Sequence, residues 1–142
     1  MQKLFGTVLC CFLLMSATTA FGQQQVEVKN FLFQLQTCRL SGQTVACEFT
    51  VTSKGEDREV TILGNAGSRI LDKMGNEFKA DKVIMGNSSD ADWISNSLVS
   101  NIPVKAALVF QNVYSKPNLL SVLEIVFDGM KAQFRDVPVM AK

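Results

Sequence analysis

Two cysteines, Cys38 and Cys47, flank the turn signal Ser41-Gly42, and this arrangement limits the fold more than any other feature of the chain. If Gly42 and Gln43 are the loop residues of a hairpin, Ser41 faces Thr44, Leu40 faces Val45, Arg39 faces Ala46 and Cys38 faces Cys47. Glycine in the first loop position suits a type II′ turn, which needs positive φ there. Hydrogen-bonded and open pairs alternate outward from the turn, and Cys38–Cys47 falls on an open pair. Its Cα atoms should stand about 4.5 Å apart, close enough for a disulfide. Closing so short a loop stabilises the domain by about 2–3 kcal/mol, chiefly by restricting the unfolded chain.

The same register carries a conflict. Val45, Cys47, Phe49 and Val51 share one face of the second strand, with Ala46, Glu48 and Thr50 on the other. An uninterrupted ladder would put Phe33 opposite Thr52 and Leu35 opposite Thr50, on the face away from Phe49 and Val51. Either a β-bulge between Leu35 and Cys38 flips the parity, or both faces of the hairpin are partly covered; the bulge is the favoured reading.

The rest of the chain repeats the theme of short β-branched and aromatic runs between turn formers. Such runs occupy residues 31–35, 45–52, 59–63, 104–110 and 119–127, and the last is apolar on both faces, as a central strand would be. Ser41-Gly42, Lys54-Gly55, Gly64-Asn65, Gly75-Asn76, Gly86-Asn87 and Asp128-Gly129 punctuate them. Strands at these intervals without amphipathic helices predict an antiparallel sandwich or barrel. The polar residues 86–92 read as the most flexible loop.

Ahead of these strands, Lys3, an apolar run over 4–15 and the small residues Ser16-Ala17-Thr18-Thr19-Ala20 have the layout of a secretory signal peptide. The run is too short for a span of roughly 20 residues. A cut after Ala20 or after Gly22 leaves one domain's worth of chain. The expectation is therefore a leader over 1–22, a domain over 23–142, and export to the periplasm or the medium. Cys10 and Cys11 leave with the leader. Cys38 and Cys47 then meet an oxidising compartment, where a pair reads as a disulfide. A redox role would call for a reactive thiolate and commonly a C-x-x-C spacing, which this pair lacks.

Charge and composition exclude several function classes. Once Lys3 is removed, 13 basic residues balance 13 acidic ones. The lysines are scattered among acids, so neither the basic stripe of a nucleic-acid binder nor a polybasic membrane segment appears in the sequence. The chain has no histidine, which removes Ser-His and Cys-His nucleophiles, histidine zinc sites and histidine proton shuttles. No cofactor or metal is expected, and no catalytic motif is present. The acids that could serve a two-carboxylate hydrolase are Glu48, Asp72, Glu77, Asp90, Asp92, Glu124, Asp128 and Asp136, and their spacing selects no pair. Residues 72–77 fail as a calcium loop because Met74 sits where an oxygen ligand is needed. They read instead as a hairpin turn between Ile70-Leu71 and Phe78, with Gly75 at positive φ. Asn87, Ser88, Ser89, Asp90 and Asp92 carry oxygens without a defined ligand spacing. Trp93, the single tryptophan, reads first as a core residue opening a strand. Its functional reading is an exposed contact residue beside Asp90 and Asp92.

From Phe31 onward the chain resembles a family of exported bacterial domains of unknown function, common in cyanobacteria. The matching residues are Cys38, Cys47 and Phe49-Thr50-Val51-Thr52-Ser53, then Leu71-Asp72, Gly75-Asn76-Glu77-Phe78, Val83 and Gly86-Asn87-Ser88-Ser89. Ile102-Pro103-Val104-Lys105-Ala106, Phe110, residues 120–124 and Gln133-Phe134-Arg135-Asp136-Val137-Pro138 complete the set. More distantly the layout is similar to immunoglobulin-like extracellular domains grouped with a mycobacterial secreted antigen. The resemblance implies a disulfide-bearing β-sandwich outside the cytoplasm and implies no activity. The fold expected is thus an all-β, immunoglobulin-like antiparallel sandwich of seven to nine strands. The function expected is binding or accessory, to a protein or glycan through loops at one end, with a small carboxylate hydrolase and a purely structural envelope domain as alternatives.

Overall fold

A computed structural model describes residues 24–141, so the leader and its candidate cuts at Ala20 and Gly22 lie outside the described residues. Twelve strands follow in order: β1 (Gln25–Val28), β2 (Phe31–Ser41), β3 (Thr44–Ser53), β4 (Arg58–Leu63), β5 (Arg69–Asp72) and β6 (Glu77–Lys79) form the first half. The second half is β7 (Lys82–Met85), β8 (Ser88–Asp90), β9 (Trp93–Leu98), β10 (Val104–Phe110), β11 (Leu119–Phe127) and β12 (Met130–Ala141). Among the described residues no helix is long and apolar enough to cross a membrane. The count exceeds the seven to nine expected because β1, β6 and β8 have only three or four residues each, too few to show an alternation in sequence.

The cysteine hairpin forms in the expected register. Ser41 pairs with Thr44 and Cys38 with Cys47, Gly42 has φ of 62°, and the disulfide joins Cα atoms 4.0 Å apart. The ladder then slips by one residue between Leu35 and Thr37, so Leu35 faces Phe49 and Phe33 faces Val51. Gln36 is the extra residue, and it leaves Phe31, Phe33 and Leu35 on the same buried face as Phe49 and Val51. A second two-residue turn, Asp128-Gly129, has both residues at positive φ (46° and 73°), the type I′ geometry that matches strand twist. It aligns β11 with β12 from Phe127–Met130 outward.

The strands run β6-β5-β11-β12-β2-β3-β10-β7-β8 in one curled sheet, with β1 beside β2, and β4 between β11 and β9. Every pairing is antiparallel except β12 with β2, which makes the sheet mixed. β12 first lines β11 and then, over Val139 to Ala141, runs parallel to Cys38, Arg39 and Leu40. The curl brings β2 and β11 face to face: the Phe33 and Phe127 ring centroids are 4.5 Å apart, and Phe31 meets Phe127 edge-on at 5.5 Å. Around them pack Val45, Ile62, Ile70, Leu108, Leu120, Leu123 and Phe134. Such aromatic contacts add about 0.5–1.5 kcal/mol each beyond area burial.

Residues 86–92 differ from expectation. Ser88–Asp90 is a strand paired with β7, Met85 facing Ser88 and Val83 facing Asp90, because Gly86 takes φ of 59° and closes a tight turn. Backbone pairing with β7 supplies the order that the polar side chains do not.

Candidate functional site

One end of the fold is assembled from three connections that meet in space. The β2–β3 tip is tied to the β10–β11 crossing, residues 111–118, by the Val113 N–H donating to the Gln43 carbonyl at 2.8 Å. The β5–β6 turn, residues 73–76, is tied to the same crossing by the Ser115 hydroxyl on the Asp72 carboxylate. Phe78 of β6 supports it further, its ring edge-on to Tyr114 at 5.2 Å.

Asp72 organises the turn. Its carboxylate accepts the Met74 and Asn76 backbone N–H groups, both at 2.9 Å, and the Asn76 side-chain amide at 2.8 Å. Burial pushes its pKa up, but the donors from Asn76, Ser115 and Met74 outweigh that and hold it below the ordinary value. A carboxylate satisfied on so many sides fixes the turn and aims Met74 outward, 85% exposed. The crossing loop is equally constrained. Val113 is fully buried beneath it, and Asn112 and Lys116 sit at φ of 57° and 43°, a region sparsely used by residues other than glycine. Tyr114 stands between them, 65% exposed. Lys73 and Lys116 flank these two side chains, and neither takes part in the ion pairs found among the described residues. A cleft of about 350 Å³ separates the two loops, lined by Asp72, Lys73, Met74, Ser115, Lys116 and Leu119 among others.

Two further clefts lie on the flanks. Where the open edge of β2 passes from β1 to β12, a cleft of about 380 Å³ has Leu35, Leu119, Val137, Pro138 and Met140 in its walls. The bulged Gln36 and Asp136, at φ of 52°, also border it. The third, about 390 Å³, lies on β3, β10 and β7, with Glu48 and Lys105 beside Ala107. A hydrolase of the carboxylate type needs two acids in one cleft. Each of these three clefts is lined by a single acid: Asp72, Asp136 or Glu48.

The residues named from sequence fall elsewhere. Trp93 is 54% exposed at the start of β9, which corrects the core reading: Ile94 takes the buried face and strand alternation turns Trp93 outward. Asp90 Oδ1 accepts the Asp92 N–H at 2.8 Å and the Trp93 N–H at 3.3 Å, so it serves the β8–β9 turn. Trp93, Asp90 and Asp92 are thus neighbours on an exposed turn, and none of them lines the cleft between the loops 73–76 and 111–118. Among the described residues no group of three or more acids or cysteines is placed to hold a metal ion.

Sequence reasoning had no means of separating Glu124 from the other acids. It is 2% exposed on the central strand and pairs in register with Arg69 on β5 and Gln133 on β12. Arg69 lies 3.5 Å and Lys131 3.4 Å from its oxygens, and the Gln133 amide donates at 2.8 Å. Burial raises its pKa, but Gln133 and the two cations more than offset this and set it below the ordinary value. Arg69 also reaches Glu77 at 3.4 Å, so this cluster braces β5, β11 and β12.

No protein-family model and no curated protein matches the chain.

Proposed function

We propose that residues 23–142 form an exported, non-catalytic binding domain of the immunoglobulin-like type, which contacts its partner through the loops 73–76 and 111–118. Export is supported by the leader layout of residues 1–22 and by the Cys38–Cys47 bridge, a bond that persists in oxidising compartments. One observation carries the choice of surface. Met74 and Tyr114 project into solvent from adjoining loops that are themselves held rigidly, by Asp72 and by Phe78. Met74 and Tyr114 are the two most exposed large apolar side chains among the described residues, and a preorganised loop loses little entropy on contact.

The test is site-specific photocrosslinking in the native envelope, with benzoylphenylalanine at position 74 or 114 and at position 99 on the opposite end as control. The reading expects adducts from 74 and 114 and none from 99. Equal labelling at all three positions, or none at any, contradicts it.

A further inference from the structure

Lys73 and Lys116 belong to no basic run in the sequence, yet the fold sets both at the cleft between the protruding Met74 and Tyr114 loops. We propose that this end docks on an anionic phospholipid surface, with Met74 and Tyr114 entering the headgroup region and Lys73 and Lys116 meeting lipid phosphates. The inference rests on reading the loop end as the contact surface, and it names the partner.

Three observations favour lipid. The first is shape. A stable protein interface covers about 800 Å² per partner and seats its anchors in pockets. Here the exposed apolar groups are two single tips on loops parted by a cleft, less than a standard protein interface needs and enough to enter a fluid interface. The second is chemistry. Tyrosine has an apolar ring with a polar tip suited to the interfacial layer, methionine adapts to irregular surroundings, and lysine stems extend along apolar material while the ammonium stays in water. The third is charge. Glu77 is paired with Arg69 and the Asp72 carboxylate is buried under its turn, whereas Lys73 and Lys116 are exposed beside Met74 and Tyr114 and form no ion pair among the described residues. The charges that meet an approaching surface beside these two tips are thus the two ammonium groups.

The experiment is co-sedimentation of the exported protein, purified with its disulfide, on vesicles of phosphatidylcholine alone or with 30 mol% phosphatidylglycerol. The proposal expects binding to the anionic vesicles, weakened by salt, and about 5-fold loss for each lysine removed in Lys73→Gln and Lys116→Gln. Met74→Ser and Tyr114→Ser should lose about 10-fold, while a Val99→Ser/Ile102→Ser control at the other end binds as the parent does. An unchanged melting temperature in the lysine and Met74 variants shows that folding is not at issue. Equal affinity for both vesicle types, or no binding to either, overturns the proposal. If binding is absent and position 74 still crosslinks to a protein, the loop end stands as the contact surface and the lipid assignment alone is wrong.

Discussion

Leu35 stands opposite Phe49 because Gln36 is an extra residue in β2. Without that residue out of step, Gln36 itself would face Phe49 and Leu35 would turn to the outer face. Deleting Gln36 therefore regularises the ladder and keeps Phe31, Phe33 and Leu35 inward. The deletion should fold, retain its disulfide and lose about 2 kcal/mol or less. Deleting Gln34 instead forces either Leu35 or the two phenylalanines outward, at about 2–5 kcal/mol. Urea denaturation of the two deletions distinguishes them, and equal losses would contradict the bulge assignment.

The disulfide acts on the unfolded chain. Replacing Cys38 and Cys47 together by alanine should lower stability by about 2–3 kcal/mol, read as a lower denaturation midpoint. An unchanged midpoint would show that the hairpin is already formed in the unfolded ensemble.

Asp72 and Glu124 make stability depend on acid in a defined direction. Both have folded-state pKa values below their ordinary ones, so their contribution is complete above the unfolded values of about 3.9 and 4.3. It is lost as pH falls through the folded values. Glu124→Gln should be less stable than the parent at pH 7 by about 1–3 kcal/mol, because Arg69 and Lys131 lose their shared carboxylate. The gap should narrow as pH falls below the unfolded value of about 4.3 and close once pH has passed the lowered folded value, where Glu124 is protonated and resembles glutamine. Melting curves between pH 7 and pH 3 check this, and a constant gap would contradict it.

Gly64 is a glycine by contact. A Cβ there would lie 2.6 Å from the Ala91 carbonyl oxygen and 3.3 Å from the Val83 nitrogen, both backbone atoms, while the Gly64 N–H is bonded to the Asp92 carbonyl. Gly64→Ala should cost about 1–3 kcal/mol and shift the fluorescence of neighbouring Trp93. A neutral substitution would contradict the close approach.

Local features were legible in the sequence and tertiary ones were not. The Cys38–Cys47 register and the bulge follow from parity within a single hairpin, and the central position of β11 follows from residues apolar on both faces. Trp93 misleads because size suggests burial, whereas its place in the alternation beside Ile94 decides its exposure. Residues 86–92 look unstructured because their order comes from β7. The loop end could not be read at all: Met74 and Tyr114 become neighbours only through the path of β5, β6 and the crossing from β10, and Lys73 meets Lys116 by the same route.

Hydrogen exchange measured with and without the native envelope fraction tests directly whether this end is the contact surface. Backbone amides in residues 73–76 and 111–118 should slow on addition of the envelope, while those of β9 and of residues 99–102 stay unchanged. Protection confined to β9, or to the cleft beside Gln36 and Asp136, would place the contact elsewhere and contradict the account.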